Sequence, residues 1–181
     1  MLLGIFLAAG SSAHAQGEHA NSGTATYLSH DDLMALKQKS ASQPTNDSQA
    51  AVVDVNNGEY HIGLGIGHRS KASVNSPSDR AVEHNEVTEV YYIISGSGIL
   101  TTGGTIKDVK PGGGQGGPSG PSAFGGEIIG GVSKPVGPGD IVVIPPNTPH
   151  RFSQIDTDEI VYALVRPDPH KVLPLMSAPG K

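Results

Sequence analysis

Two stretches of the chain place ionisable side chains at the ends of β-like runs. One is His84-Asn85-Glu86-Val87-Thr88-Glu89-Val90-Tyr91-Tyr92-Ile93-Ile94-Ser95-Gly96. The other runs from Gly139-Asp140 through Ile141-Val142-Val143-Ile144 and Pro145-Pro146 to Asn147-Thr148-Pro149-His150-Arg151-Phe152. In each, a strand rich in β-branched residues abuts a tight turn. His84 and Glu89 are separated by four residues, which sets them around a bend rather than on one regular face. Glu86 lies two residues from His84 and shares its face if that strand is regular. Cysteine is absent, which excludes disulfide scaffolds, zinc ribbons, thiol nucleophiles and Cys-ligated clusters. The chemistry left to these stretches is that of imidazole and carboxylate.

The elements that must hold these groups are short strands. The chain of 181 residues holds 25 Gly and 14 Pro, enough for many turns and too many for a helical bundle. Strands are expected from Ala50 to Val55, Glu59 to Gly67, Val90 to Ser95, Ile99 to Thr102, Glu127 to Ile129, Ile141 to Ile144, His150 to Ser153 and Ile160 to Val165. Asn57-Gly58 between the first two is a hairpin signal. In Tyr60-His61-Ile62-Gly63-Leu64-Gly65-Ile66 large and small residues alternate, so His61 falls on a small-residue face that a ligand could approach closely. His68 stands beside Arg69 at that strand's end. The tract from 111 to 126, PGGGQGGPSGPSAFGG, reads as a surface loop or as a lid over a barrel mouth. Ser29 predicts the cap of a short helix from His30, with Asp31 and Asp32 in its first turn, Lys37 and Lys39 in its last, and Leu33 and Leu36 facing inward. Ser40 to Gln49 reads as a polar linker. The pattern predicts an all-β sandwich or barrel.

The spacing His84-x4-Glu89-x6-Gly96, followed by Gly139-x5-Pro145-x4-His150, resembles the two motifs of the cupin superfamily over residues 50–166. The resemblance implies a double-stranded β-helix, a jelly-roll barrel, here with a short N-terminal helix. It also implies that His84, Glu89 and His150 bind a divalent metal inside the barrel. Val82 stands where the family has its first histidine, Asn147 where it has a glycine and Gln154 where it has the closing asparagine. Two imidazoles and one carboxylate on one face of an octahedral ion leave positions for water, oxygen or substrate, and Fe, Mn, Zn or Ni suits such a set. Glu86 is a candidate catalytic base or replacement ligand. Tyr91, His61 and Arg166 are candidate substrate-binding residues, with Arg166 suited to an anionic group.

Residues 1–15 read as a signal peptide: an apolar run from Leu2 to Ala9, then Ala13-His14-Ala15, with cleavage before Gln16. Residues 16–49 form an arm with the short helix, 50–166 the barrel and 167–181 a tail. Eight apolar residues are too few to span a bilayer, so a periplasmic or secreted protein with no membrane partner is expected. The net charge is −5, tryptophan is absent and the 12 Lys and Arg are scattered, which excludes a nucleic-acid partner. The expected function is a small-molecule metalloenzyme of oxygenase-like type. The alternatives are a non-catalytic cupin binding a sugar, phenolic or acid, and a metal-dependent isomerase or lyase. The family resemblance also suggests a homodimer.

Overall fold

The structure is a computed structural model and describes residues 25–76 and 79–178. The signal-like run at 1–15 and the start of the arm lie outside these residues. Helix α1 (His30–Lys39) begins as the sequence predicts. The Ser29 hydroxyl accepts from the Asp32 N–H, and the Asp32 carboxylate accepts from the Ser29 N–H. Asp31 and Asp32 face the positive end of the helix dipole, Lys37 and Lys39 the negative end. Leu33 and Leu36 are half-buried, not core, because the helix lies on the outside of the first two strands.

The strands are β1 (Thr45–Val55), β2 (Tyr60–Ser70), β3 (Ala81–His84), β4 (Glu89–Ser95), β5 (Gly98–Thr102), β6 (Thr105–Ile106) and β7 (Lys110–Pro111). They continue as β8 (Ser122–Gly125), β9 (Ile128–Ile129), β10 (Val132–Val136), β11 (Ile141–Ile144), β12 (His150–Ile155) and β13 (Glu159–Asp168). They form a five-stranded sheet, β1-β2-β13-β4-β11, and a six-stranded sheet, β10-β5-β12-β3-β8-β7, with β6-β9 as a small ribbon. The chain passes from one sheet to the other between β2 and β3, back before β4, and out again before β5. Every pairing is antiparallel, as a jelly roll requires.

Apolar side chains of both inner faces meet at one end of the barrel. Tyr91, Ile93, Ile144, Ile160, Tyr162 and Leu164 of the first sheet pack on Leu100, Val136, Phe152 and Ile155 of the second. Tyr91 lies against Tyr162 with ring centroids 4.2 Å apart, and both rings neighbour Phe152. The chemistry sits beyond this plug, where the inner faces turn polar.

Three expectations of the strand pattern change. β1 begins at Thr45, inside the stretch expected to be linker. Its first residues are polar because Asp47 and Gln49 face a buried ionic network, so the apolar alternation that marks a strand is missing there. The β1–β2 hairpin turns over Asn56 to Glu59, with positive φ at Asn56, Asn57 and Gly58, and is longer than a two-residue Asn-Gly turn. Strands β3, β8 and β10 carry little sequence signal: β8 lies within the Gly/Pro tract, and β10 contains Pro135, which its edge position tolerates.

Candidate functional site

Glu89 opens β4 and is 1% exposed. One side of its carboxylate meets Arg166 of β13, whose Nε donates to Oε1 at 2.8 Å while Nη2 lies 2.7 Å from the same oxygen. Tyr91 donates its hydroxyl to Oε2 at 2.8 Å. Two imidazoles close the other side. His84 Nε2 of β3 is 3.3 Å from Oε1, and His150 Nε2 of β12 is 3.1 Å from Oε2. Burial pushes the Glu89 carboxyl up, but Arg166 beside it, with His150 and His84, holds it well below the usual carboxylate range. Burial and the Glu89 charge push the Tyr91 phenol well up, so it is held as a donor.

The two histidines come from different sheet positions that register brings together. His150 pairs with Val82 of β3, two residues before His84 on the same face. Asn147, in the turn before β12, takes φ 57° and donates its N–H to the His84 carbonyl, tying the two motif turns together. His150 Nδ1 faces the Thr148 carbonyl at 3.0 Å, which can only accept, so this nitrogen carries the proton. In a neutral ring the Nε2 lone pair then points at the Glu89 carboxylate. His150 Nε2 and His84 Nδ1 are buried without a hydrogen-bond partner among the described residues.

A second ionic group adjoins the first. Asp47 of β1 receives both Nη atoms of Arg69 at 2.9 and 3.0 Å and the Tyr162 hydroxyl at 2.7 Å. Arg166 bridges the two groups: Nη1 donates to Gln49 Oε1 at 3.1 Å, and Nη2 lies 3.8 Å from Asp47. Two arginines and two carboxylates thus balance in the interior. Glycines on β2 make the space. A Cβ on Gly63 would stand 2.7 Å from Gln49 Nε2, and one on Gly67 would stand 2.3 Å from the Tyr162 ring.

A cavity of about 490 Å³ opens over this floor. His84, His150, Tyr91 and Asp47 line its depth, and Val82, Leu100, Phe124 and Phe152 form an apolar wall. Gly112, Gly113, Pro118 and Ser119 of the Gly/Pro-rich tract also line it, and the Pro118 carbonyl accepts from Arg166 Nη1 at 3.4 Å. The tract is therefore part of the cavity wall, with its last residues in β8.

The structure brings together His84, Glu89, His150, Tyr91 and Arg166. Arg166 is 1% exposed and bound to Glu89, so its charge is already used inside the protein. Glu86 does not join them; it lies at the surface with its carboxylate 3.2 Å from His170 Nδ1. His61 does not line the cavity either. Its Nδ1 faces the Leu173 carbonyl at 3.1 Å, and the small-residue face it shares is filled by the protein's own Gln49, Arg166 and Tyr162. His68 bonds the Gln43 carbonyl. Sequence reasoning missed Asp47, Gln49, Arg69 and Tyr162. The glycine row of β2 was the available signal, since it implied large groups opposite.

A family model described as the AraC-like ligand binding domain matches residues 130–180, which include His150 and Arg166. No curated protein matches the sequence. Among solved structures, the EutQ protein of Clostridium difficile is 14% identical over 79% of this chain and 74% of that one, with a TM-score of 0.36. A cupin protein of Bacteroides fragilis is 15% identical over 77% of this chain and 94% of that one, with a TM-score of 0.36. Peruvianin-I, described as a cysteine peptidase from Thevetia peruviana latex, is 14% identical over 82% of each chain, with a TM-score of 0.42. The antiparallel jelly-roll topology and the match over residues 130–180 support the cupin resemblance of the two motif frames.

Proposed function

We propose that the protein binds a small molecule in the barrel cavity, beside a divalent metal ion held by His84, Glu89 and His150. The carrying observation is the contact of His150 Nε2 with Glu89 Oε2 at 3.1 Å. With a ring proton on Nδ1, an acceptor faces an acceptor unless a second proton or a metal ion joins them. Ligating atoms of the three residues lie within 4.8 Å of one another, and all three residues are buried. The donor set of two imidazoles and an ionised carboxylate suits a divalent ion of the first transition row. Thr148 and Arg166 act as the outer partners that orient such ligands.

A metal ion held there would supply a Lewis acid beside the cavity, the requirement of an oxygenase-like or lyase-like metalloenzyme. The chain's own residues do the rest. Arg166 keeps Glu89 charged, Tyr91 fixes the carboxylate plane, and Val82, Leu100 and Phe152 keep the floor dry. The ligand-binding description of the matching family model agrees with this use of the cavity. The apolar run and the Ala13-His14-Ala15 site support export, which the N-terminal sequence of mature protein from the native host tests.

Protein purified from iron-, manganese- or zinc-replete medium is expected to carry close to one metal ion per chain, and the His84→Ala/His150→Ala variant none. Wild type with no metal under all three conditions overturns the metal centre. A second reading, a metal-free binding module, is favoured by one observation: Arg166 and Tyr91 already satisfy both oxygens of Glu89. Thermal stabilisation by small-molecule ligands that persists after chelation would select it.

A further inference from the structure

Among the cavity-lining residues, the charges are Asp47 and Asp79 against Arg69, Arg80 and Arg151, a positive excess in a chain whose net charge is −5. Two of these arginines are engaged. Arg69 is bound by Asp47, and Arg151 Nη2 donates to Asp79 at 2.9 Å. Arg80 has no carboxylate partner among the described residues. Its guanidinium instead lies over the Phe124 ring, 4.6 Å from the centroid, which holds the cation at the cavity wall and leaves its N–H edge available.

The position of Arg80 follows from the strand alternation. It immediately precedes β3 and continues the row of Val82 and His84, all three of which line the cavity. Four residue steps of extended chain lead from Arg80 to His84, about 13 Å. Between them lie Val82 and its cross-strand partners Phe124 and His150. The row thus presents a free cation at one end, an apolar and aromatic middle, and the imidazole floor at the other.

We infer that Arg80 anchors the anionic head group of an elongated organic acid whose apolar body lies along Val82 and Phe124 and whose far end reaches His84 and His150. The inference rests on the reading of the cavity as a small-molecule site and adds the class of ligand. A carboxylate and a phosphate monoester share the chemistry that a guanidinium edge recognises. Arg166 takes no part in charge recognition, because it is already bound to Glu89.

Calorimetric titration with hydrocinnamate, its neutral amide hydrocinnamide and phenethyl phosphate tests the assignment. Wild type is expected to prefer an anion over the amide by about tenfold or more, with the preference falling as salt rises. The carboxylate and phosphate arms show which head group is favoured. In Arg80→Ala the preference disappears while amide binding is unchanged, and Arg80→Lys restores part of it. Equal binding of acid and amide to wild type, or anion binding indifferent to Arg80→Ala, overturns the anchor. Val82→Trp separates this from failure of the cavity reading. Probe binding lost in Val82→Trp but unmoved by Arg80→Ala keeps the cavity and rejects the anchor. Binding indifferent to Val82→Trp rejects the cavity as the site. No binding of any of the three probes to wild type overturns the assigned class.

Discussion

The two sheets contribute opposite kinds of surface to one cavity. The five-stranded sheet lines it with Asp47 and Arg69, which together with Glu89, Arg166 and the Tyr162 hydroxyl are matched within the protein at 3.0 Å or less. The six-stranded sheet supplies His84 and His150 with ring nitrogens lacking hydrogen-bond partners, and Val82, Phe124 and Phe152 with no polar atoms to satisfy. Paired charge makes a stability-determining floor, because removing one member strands another. Unsaturated imidazole and apolar surface leave capacity for a ligand. The contrast predicts that substitutions in the first sheet act on folding, and those in the second on binding.

The sharpest break of that contrast is Arg166→Ala. It leaves the buried Glu89 carboxylate without its arginine and is expected to cost about 3–5 kcal/mol by urea denaturation. A loss no larger than that of an ordinary surface change would show that the floor is not an ionic unit. Asp47→Asn removes the partner of Arg69 and should cost about 2–3 kcal/mol at neutral pH.

Asp47 also gives the contrast a pH signature. Burial pushes its carboxyl up, but Arg69 and then Arg166 bring it below the ordinary value. The unfolded chain therefore binds the proton first as the pH drops. The Asp47 contribution is complete above about pH 4 and is lost as pH falls through the lower folded value. Denaturation midpoints measured between neutral and acid pH should fall less steeply in Asp47→Asn than in wild type.

Smaller still is Gly67→Ala, whose Cβ would meet Tyr162 at 2.3 Å and Asp47 Oδ1 at 2.6 Å. Displacing these groups is expected to cost about 1–2 kcal/mol. At the lower end, His84→Gln and His150→Gln should change the stability of the metal-free protein by about 1 kcal/mol or less while abolishing metal retention. Thermal unfolding with metal analysis of the same samples checks both halves. Stability losses here as large as that of Arg166→Ala would erase the distinction between the sheets.

The sequence by itself determined what local patterns can encode. The Ser29 cap, the strands of the two motifs and the spacing of His84, Glu89 and His150 are set by neighbours in the chain, and they stand where the pattern places them. The positive φ at Asn147 belongs with these, since asparagine is among the few residues that tolerate it. Tertiary structure alone decided which polar groups meet. Asp47 reads as a linker residue and Arg166 as an available cation, yet antiparallel pairing across β1, β2, β13 and β4 joins them through Arg69 and Glu89. Glu86 shows the converse: two residues from His84 in sequence, it faces His170 at the surface because the chain bends after β3. Spacing along a strand fixes a face only while the strand lasts; beyond its end, register and burial choose the partners.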